Sequence, residues 1–454
     1  MSTTQEDSAE RDPGNENVVS EPAAPALPGP PRRGKRGPRW RWIIISGALI
    51  LLVVLGANIA RFLPTNKPVA PRPLPLGSTF ITLPLSPAQI SQLQHMPERM
   101  QVQQLANIYV SHMNLDEKLG QLFMVQAQTW NDSANTPDTL YMLNNLYAGG
   151  IIMYTIQMHT LAQAKSDIAN MQAHASIPLL VSADEEGGEV ERVQNIFGDR
   201  PGAMQTYETG NIQSATKLGD GIARDLQEVG INTDLAPDVD VLQADNSSSY
   251  MDTRTFGTTP QSVITYGGAD LRAVQGDGEI GCLKHYPGLG AAKTDAHYSL
   301  PVINSSKDKI YSTDLAPYQA LISSSNPLDH PGMIMTTDLM MPALDSKLPA
   351  ELSPTIITDI LRNQLHYNGV VITDALWMDG IAQKWNLVQA SIMALQAGDD
   401  MLLGAIGSAQ MEMVLNGLKA ALQDGQLSMN RINQAVTRII ALKFQYHILQ
   451  TPWY

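Results

Sequence analysis

The chain has 454 residues, which allows up to three average domains or one large barrel. It is 43% hydrophobic and 16% charged, which excludes global disorder, and its formal charge of −14 argues against nucleic acid as the main partner, because phosphate binding needs a basic face. A single cysteine, Cys282, excludes an internal disulfide framework and cysteine-based zinc or iron–sulfur sites.

The charge is uneven along the chain. Residues 1–63 carry eight basic and six acidic groups, and the remainder carries 22 and 38. Residues 1–31 are rich in Pro, Glu, Ser and Asn without an apolar period, and read as disordered. The segment 32–41 holds six basic residues and no acid, and Trp42–Ala60 is uncharged and mostly aliphatic. That run spans a hydrocarbon core about 30 Å thick, with Trp40 and Trp42 at an interfacial belt. A cleaved signal peptide or a buried core helix is the alternative. The long basic flank and the lack of a clean A-x-A site favour a single-pass signal anchor. The boundaries expected are a basic cytoplasmic tail over 1–41, a transmembrane helix over 42–62, a spacer over 63–87 and a catalytic domain over 88–454. The spacer is extended by seven prolines within 64–87. The basic cluster places the N-terminus in the cytoplasm and the domain outside the cell.

Beyond the spacer, short apolar runs alternate with amphipathic stretches. The runs are 122–126, 150–154, 178–183, 231–236, 280–285, 332–336, 369–373 and 400–404. Helical periods lie between them, as in 215–229, 260–274, 353–365 and 387–397. Apolar runs without alternation suit strands buried on both faces of a parallel sheet. Eight β/α units predict a (β/α)8 TIM-like barrel. An open doubly wound sheet is the rival, but no G-x-G-x-x-G follows a first strand.

A barrel gathers its chemistry at the C-terminal ends of its strands. Those ends carry Asp184, then Asp234, Asp238 and Asp240, then Lys284 and His285, then Asp338 and Asp374. A lone Asp at such a place is more often the cap of the next helix. Two ends carry longer motifs. In Lys284-His285-Tyr286-Pro287-Gly288-Leu289-Gly290, followed by Asp295-Ala296-His297, the glycines permit positive φ and close backbone approach. The Asp295 carboxylate can orient the His297 ring and raise its basicity. In Val371-Ile372-Thr373-Asp374, a buried strand delivers one carboxylate to the barrel mouth, where it can attack an anomeric carbon.

With these motifs, residues from about 110 to 450 resemble glycoside hydrolase family 3, in particular its single-domain β-N-acetylhexosaminidase branch. The resemblance also rests on the segments Asp184–Arg192, Ala236–Asp240, Arg254–Gly257 and Leu348–Ser353. It implies Asp374 as nucleophile, His297 as acid/base and Asp295 as its partner. It implies that Asp184, Arg192, Arg254, Lys284 and His285 bind the non-reducing sugar, with no cofactor and no metal. Two positions depart from the family's pattern: Leu289 stands for a second His, and Glu189 for an Arg. The expected activity is a retaining exo-β-N-acetylhexosaminidase acting on terminal N-acetyl-β-glucosaminides of cell-wall or chitin type, with water or phosphate as acceptor. A β-glucosidase of the same family and an inactive, membrane-tethered glycan-binding barrel are the alternatives.

Overall fold

The computed structural model describes residues 85–127, 133–243 and 251–451. The expected cytoplasmic tail, the membrane helix and nearly all of the proline-rich spacer lie outside the described residues. Among the described residues, no helix is long and apolar enough to cross a membrane.

Eight parallel strands close into a barrel in sequence order, with the first strand pairing the last. They are β1 Phe123–Gln126, β2 Gly150–Ile152, β3 Leu180–Ala183, β4 Thr233–Asp234, β5 Ile280–Tyr286, β6 Met333–Thr336, β7 Val370–Ala375 and β8 Met401–Ile406. Each falls on one of the eight apolar runs. Except for Asp374 and Ile406, every strand residue is buried, because the barrel fills one face and the helices cover the other. The open-sheet alternative is excluded by the β1–β8 pairing.

The helices follow the amphipathic stretches. Ile212–Val229 ends at Gly230, whose φ of 97° makes it a left-handed cap. Pro260–Gly276 starts from a Thr259–Ser262 capping box, and Leu387–Ala397 from an Asn386–Gln389 box. The stretch expected over 353–365 is wound as a π-helix over Thr355–Gln364. Among the described residues, three helices, Pro87–Gln94, Glu98–His112 and Leu115–Gln121, precede β1. Pro87, which belongs to the proline run in the sequence, is the first residue of a helix capped by Ser86. The rings of Tyr109 and Phe444 meet edge to face at 6.0 Å, joining the second of these helices to the last helix, Met429–Gln445.

The barrel's N-terminal end is closed by polar contacts. Asp400, just before β8, is buried beneath Arg362, Arg431 and Arg438, with contacts of 2.5, 3.0 and 3.0 Å. Its Oδ2 also accepts from the amide of Val371. The opposite end is left for the loops that follow the strands.

Candidate active site

The floor of the mouth is a charge network built from the ends of three strands, β3, β4 and β5. Asp184 and Glu186 follow β3, two residues apart, and turn their carboxylates to the same partner. Lys284 on β5 sits between them, with Nζ 2.7 Å from Asp184 and 2.6 Å from Glu186. Arg254 grips Glu186 with two parallel bonds of 2.8 Å from Nε and Nη2, the geometry for which a guanidinium is suited. Arg192 approaches Asp184 at 3.7 Å and lies over the Tyr154 ring.

Burial opposes ionisation throughout this cluster, and the pairing overrides it. Burial raises the Asp184 carboxyl, but Lys284 and Arg192 outweigh it and hold the group below the usual range. Arg254 and Lys284 likewise hold Glu186 below the usual range against its burial. Burial pulls the Lys284 ammonium down, while Asp184 and Glu186 lift it above its ordinary value. The network therefore stays fully charged at neutral pH and offers oriented donors and acceptors to sugar hydroxyls.

His285 is fixed next to it. Its Nδ1 lies 2.8 Å from Asp240 Oδ2, and its Nε2 lies 3.4 Å from Arg254 Nη2. A carboxylate at one nitrogen and a guanidinium donor at the other select the neutral ring with the proton on Nδ1. Burial likewise lowers the His285 pKa. Asp238, Asp240 and His285 offer atoms within 4.8 Å of one another. Arg254 lies 4.0 Å from Asp238 and already supplies positive charge there. This donor set fits ring orientation better than a divalent cation.

Turns with special backbone needs position these groups. Glu185 accepts from the amides of Arg192 and Val193 at 2.6 and 3.1 Å, closing the loop that carries Arg192. Gly187 and Gly188 turn that loop with φ of 78° and 66°, and Glu189 is exposed at its tip. Thus Glu189 has no place among the buried ion pairs. In the Pro-Gly-x-Gly segment, Gly288 has φ of 137°, and a Cβ on Gly290 would collide with the Val241 carbonyl. Leu289 buries its side chain and donates its amide to Asp240 at 2.5 Å. Its contribution to the network is a backbone one that any residue but proline can make.

Asp374 lies near the C-terminal end of β7, between the buried Thr373 and Ala375. Its Oδ1 accepts from the amide of Ala375 at 2.7 Å, and its Oδ2 from the Thr337 hydroxyl at 3.4 Å. It is half-buried and faces His285 and Tyr154 closely enough to act on the ionisation of both. Asp295 and His297 lie on the loop after β5. The Asp295 carboxylate accepts from the His297 amide at 2.9 Å and meets ring Nδ1 at 2.8 Å. That leaves Nε2 as the nitrogen that can carry a transferable proton. The His297 side chain is 57% exposed, and its ring lies 6.2 Å from Trp377, three residues after Asp374.

The structure thus gathers Asp184, Arg192, Arg254, Lys284 and His285 into one network, and joins Asp295 to His297 on a separate loop. Glu186 and Asp240 are further site residues. Their signal in the sequence is the two-residue spacing from Asp184 and Asp238. Asp338 is a strand-end carboxylate of another kind. It is fully buried near Glu351, which is also fully buried. Burial and the nearby Asp374 push Asp338 well above the usual range, and burial and Asp338 do the same to Glu351.

The family model "Glycosyl hydrolase family 3 N terminal domain" matches residues 114–442. The chain belongs to glycosyl hydrolase family 3. Among its family 3 relatives, "Beta-hexosaminidase A" of Pseudoalteromonas piscicida is 32% identical over 68% of this chain and 55% of its own length. "Beta-hexosaminidase LpqI" of Mycobacterium tuberculosis is 31% identical over 72% of this chain and 82% of its own. A family 3 β-N-acetylglucosaminidase from Paenibacillus sp. str. FPU-7 superposes with a TM-score of 0.70 at 30% identity, covering 75% of this chain and 64% of that one. The chain therefore spans little more than half of the Pseudoalteromonas relative, but most of the mycobacterial one.

Proposed function

We propose that this family 3 barrel is a retaining exo-β-N-acetylhexosaminidase acting on terminal N-acetyl-β-glucosaminides of cell-wall or chitin type. The observation that carries the reading is the Asp295–His297 bond of 2.8 Å on the loop after β5, in a barrel that also brings Asp374 to its mouth. The names of the relatives point the same way.

In this reading, Asp184, Arg192, Arg254, Lys284 and His285 bind the terminal sugar. Asp374 Oδ attacks the anomeric carbon. As the bond to the leaving oxygen breaks, His297 Nε2 delivers its proton to that oxygen. The product is a glycosyl ester on Asp374. Neutral His297 then takes a proton from water, which attacks the same carbon and frees the carboxylate. Two carboxyl groups are the usual apparatus for this reaction. A histidine acid avoids adding another negative charge to a mouth already holding Asp184, Glu186 and Asp374.

The deciding experiment compares p-nitrophenyl N-acetyl-β-glucosaminide with p-nitrophenyl β-glucoside, using the wild type and Asp374→Ala. Preferred turnover of the N-acetyl substrate, lost in the variant, is the expected result. Preference for the glucoside replaces this reading with a β-glucosidase, and binding of glycan without turnover replaces it with a lectin-like barrel. The basic and apolar segments at the N-terminus support the further reading that the enzyme is tethered to the cell membrane with its barrel outside.

A further inference from the structure

Two large aromatic side chains stand exposed on the loops after β5 and β7. Tyr298 is 75% exposed and directly follows His297, and Trp377 is 36% exposed with its ring 6.2 Å from the His297 ring. Leaving such surface in water costs free energy in proportion to its area, so aromatic groups grouped at a cleft mark a place that a ligand covers. The backbone that carries each of them is anchored. Gln383 Nε2 donates to the Tyr298 carbonyl at 3.3 Å. Trp377 is bracketed by Leu376 and Met378, which are buried.

Their position defines what can cover them. His297 must bring Nε2 to the bridging oxygen, so groups next to its ring lie next to the leaving half of the substrate. The buried ions on the far side, around Lys284 and Arg254, suit the hydroxyls of the sugar that is attacked. The aromatic side suits a pyranose whose axial hydrogens form an apolar face. We propose that Trp377 and Tyr298 form the subsite for the leaving-group sugar, stacking on the residue that departs when the terminal sugar is removed. This rests on the glycosidase reading above and adds that the enzyme favours saccharide over non-saccharide leaving groups through these two rings.

The test sets two N-acetyl-β-glucosaminides side by side in the full-length protein: N,N′-diacetylchitobiose and the 2,2,2-trifluoroethyl glycoside. Both leaving groups are poor alcohols that need the proton from His297, and only the first offers a sugar face. The readout is the ratio of their kcat/KM values, in which any general harm to the acid or the fold cancels. Trp377→Ala should lower that ratio roughly tenfold, and Tyr298→Ala should lower it in the same direction. Trp377→Phe should restore most of it. A ratio within twofold of wild type in both alanine variants overturns the proposal, since the rings would then serve only to seat His297. Inactivity of the wild type on both N-acetyl substrates is the separate failure of the activity itself. Cellobiose and trifluoroethyl β-glucoside then run the same comparison.

Discussion

The amide of Gly380 donates to the carbonyl of Ala296 at 3.1 Å, which ties the loop bearing Asp295 and His297 to the turn just beyond Asp374. The two halves of the proposed chemistry are distant in sequence and meet through this backbone bond and through Gln383 on Tyr298. Gly380 has no room for a side chain. A Cβ there would stand 2.7 Å from Asp338 Oδ2 and 3.2 Å from the Ala296 carbonyl.

Gly380→Ala should therefore displace the loop rather than Asp374. The expected loss is about tenfold to a hundredfold in kcat on substrates with poor leaving groups, the scale that a misplacement near 1 Å produces. Substrates with activated phenolate leaving groups should suffer less, because the first step no longer needs the acid. Equal losses on both classes would show that the glycine matters only for folding.

The pair Asp338–Glu351 predicts a pH-dependent stability. Glu351 titrates well above the ordinary carboxylate range, because it is buried and faces Asp338, Asp374 and Asp399. A group whose folded pKa is raised binds its proton more tightly in the native state. Its contribution is then full in acid and is lost as pH rises above about 4, the unfolded value. Glu351→Gln keeps the shape and removes that titration. The difference in Tm between variant and wild type should move in favour of the variant between pH 5 and pH 8. A difference that stays constant across that range would mean that Glu351 is already ionised in the native state at pH 5.

Asp400 makes the opposite prediction for the closed end of the barrel. It holds three guanidinium groups, and burial alone would raise its pKa, but Arg362, Arg438 and Arg431 keep it lowered. Asp400→Asn leaves those cations without a counter-charge and should cost about 3–5 kcal/mol. The measure is a denaturant midpoint. Folded protein should keep its KM, because Asp400 precedes β8 and the proposed site follows the other ends of the strands. An unchanged midpoint would show that the knot is dispensable.

Removing residues 1–84 should yield a soluble barrel with unaltered turnover, because every residue of the proposed site lies at or beyond Asp184. The full-length protein should sediment with membranes and be released from intact cells by external protease. Protection from that protease would reverse the proposed orientation.

The strands were legible because burial on both faces leaves an uninterrupted apolar run, as in Val370–Thr373. The helix Leu387–Ala397 was legible from its period and its capping box. The site residues that motifs carry, Asp374, Lys284 and His285, sit at strand ends where a barrel must put them. Less of the supporting structure could be read. The contact of Asp338 with Glu351 depends on how the segment after β6 returns to the barrel. The seating of His297 against Trp377 depends on the path of two loops. Neither path leaves a periodic trace, since a loop's course is set by particular contacts such as Gly380 with Ala296. The same holds for Glu186, whose two partners come from β5 and from the loop after β4.

His297 carries the sharpest prediction. If its Nε2 protonates the leaving oxygen, His297→Ala should slow substrates with poor leaving groups by roughly 10²–10⁴-fold, the usual contribution of a positioned acid. With an activated phenolate the first step needs no proton, so the glycosyl ester on Asp374 forms and accumulates. Its hydrolysis then limits the rate, because water still lacks a base. Azide needs none, so it should restore part of the turnover and give a glycosyl azide of retained configuration. Asp295→Ala should follow the same pattern more mildly, because it removes only the carboxylate 2.8 Å from Nδ1 that orients the ring. The ring's 57% exposure lets azide reach the vacated space. Should both variants slow every substrate equally, and azide rescue neither, the acid must be another group. Asp238, Asp240 and Asp338 are too deeply buried to reach a leaving oxygen, so the acid would have to come from a loop rather than from these strand ends.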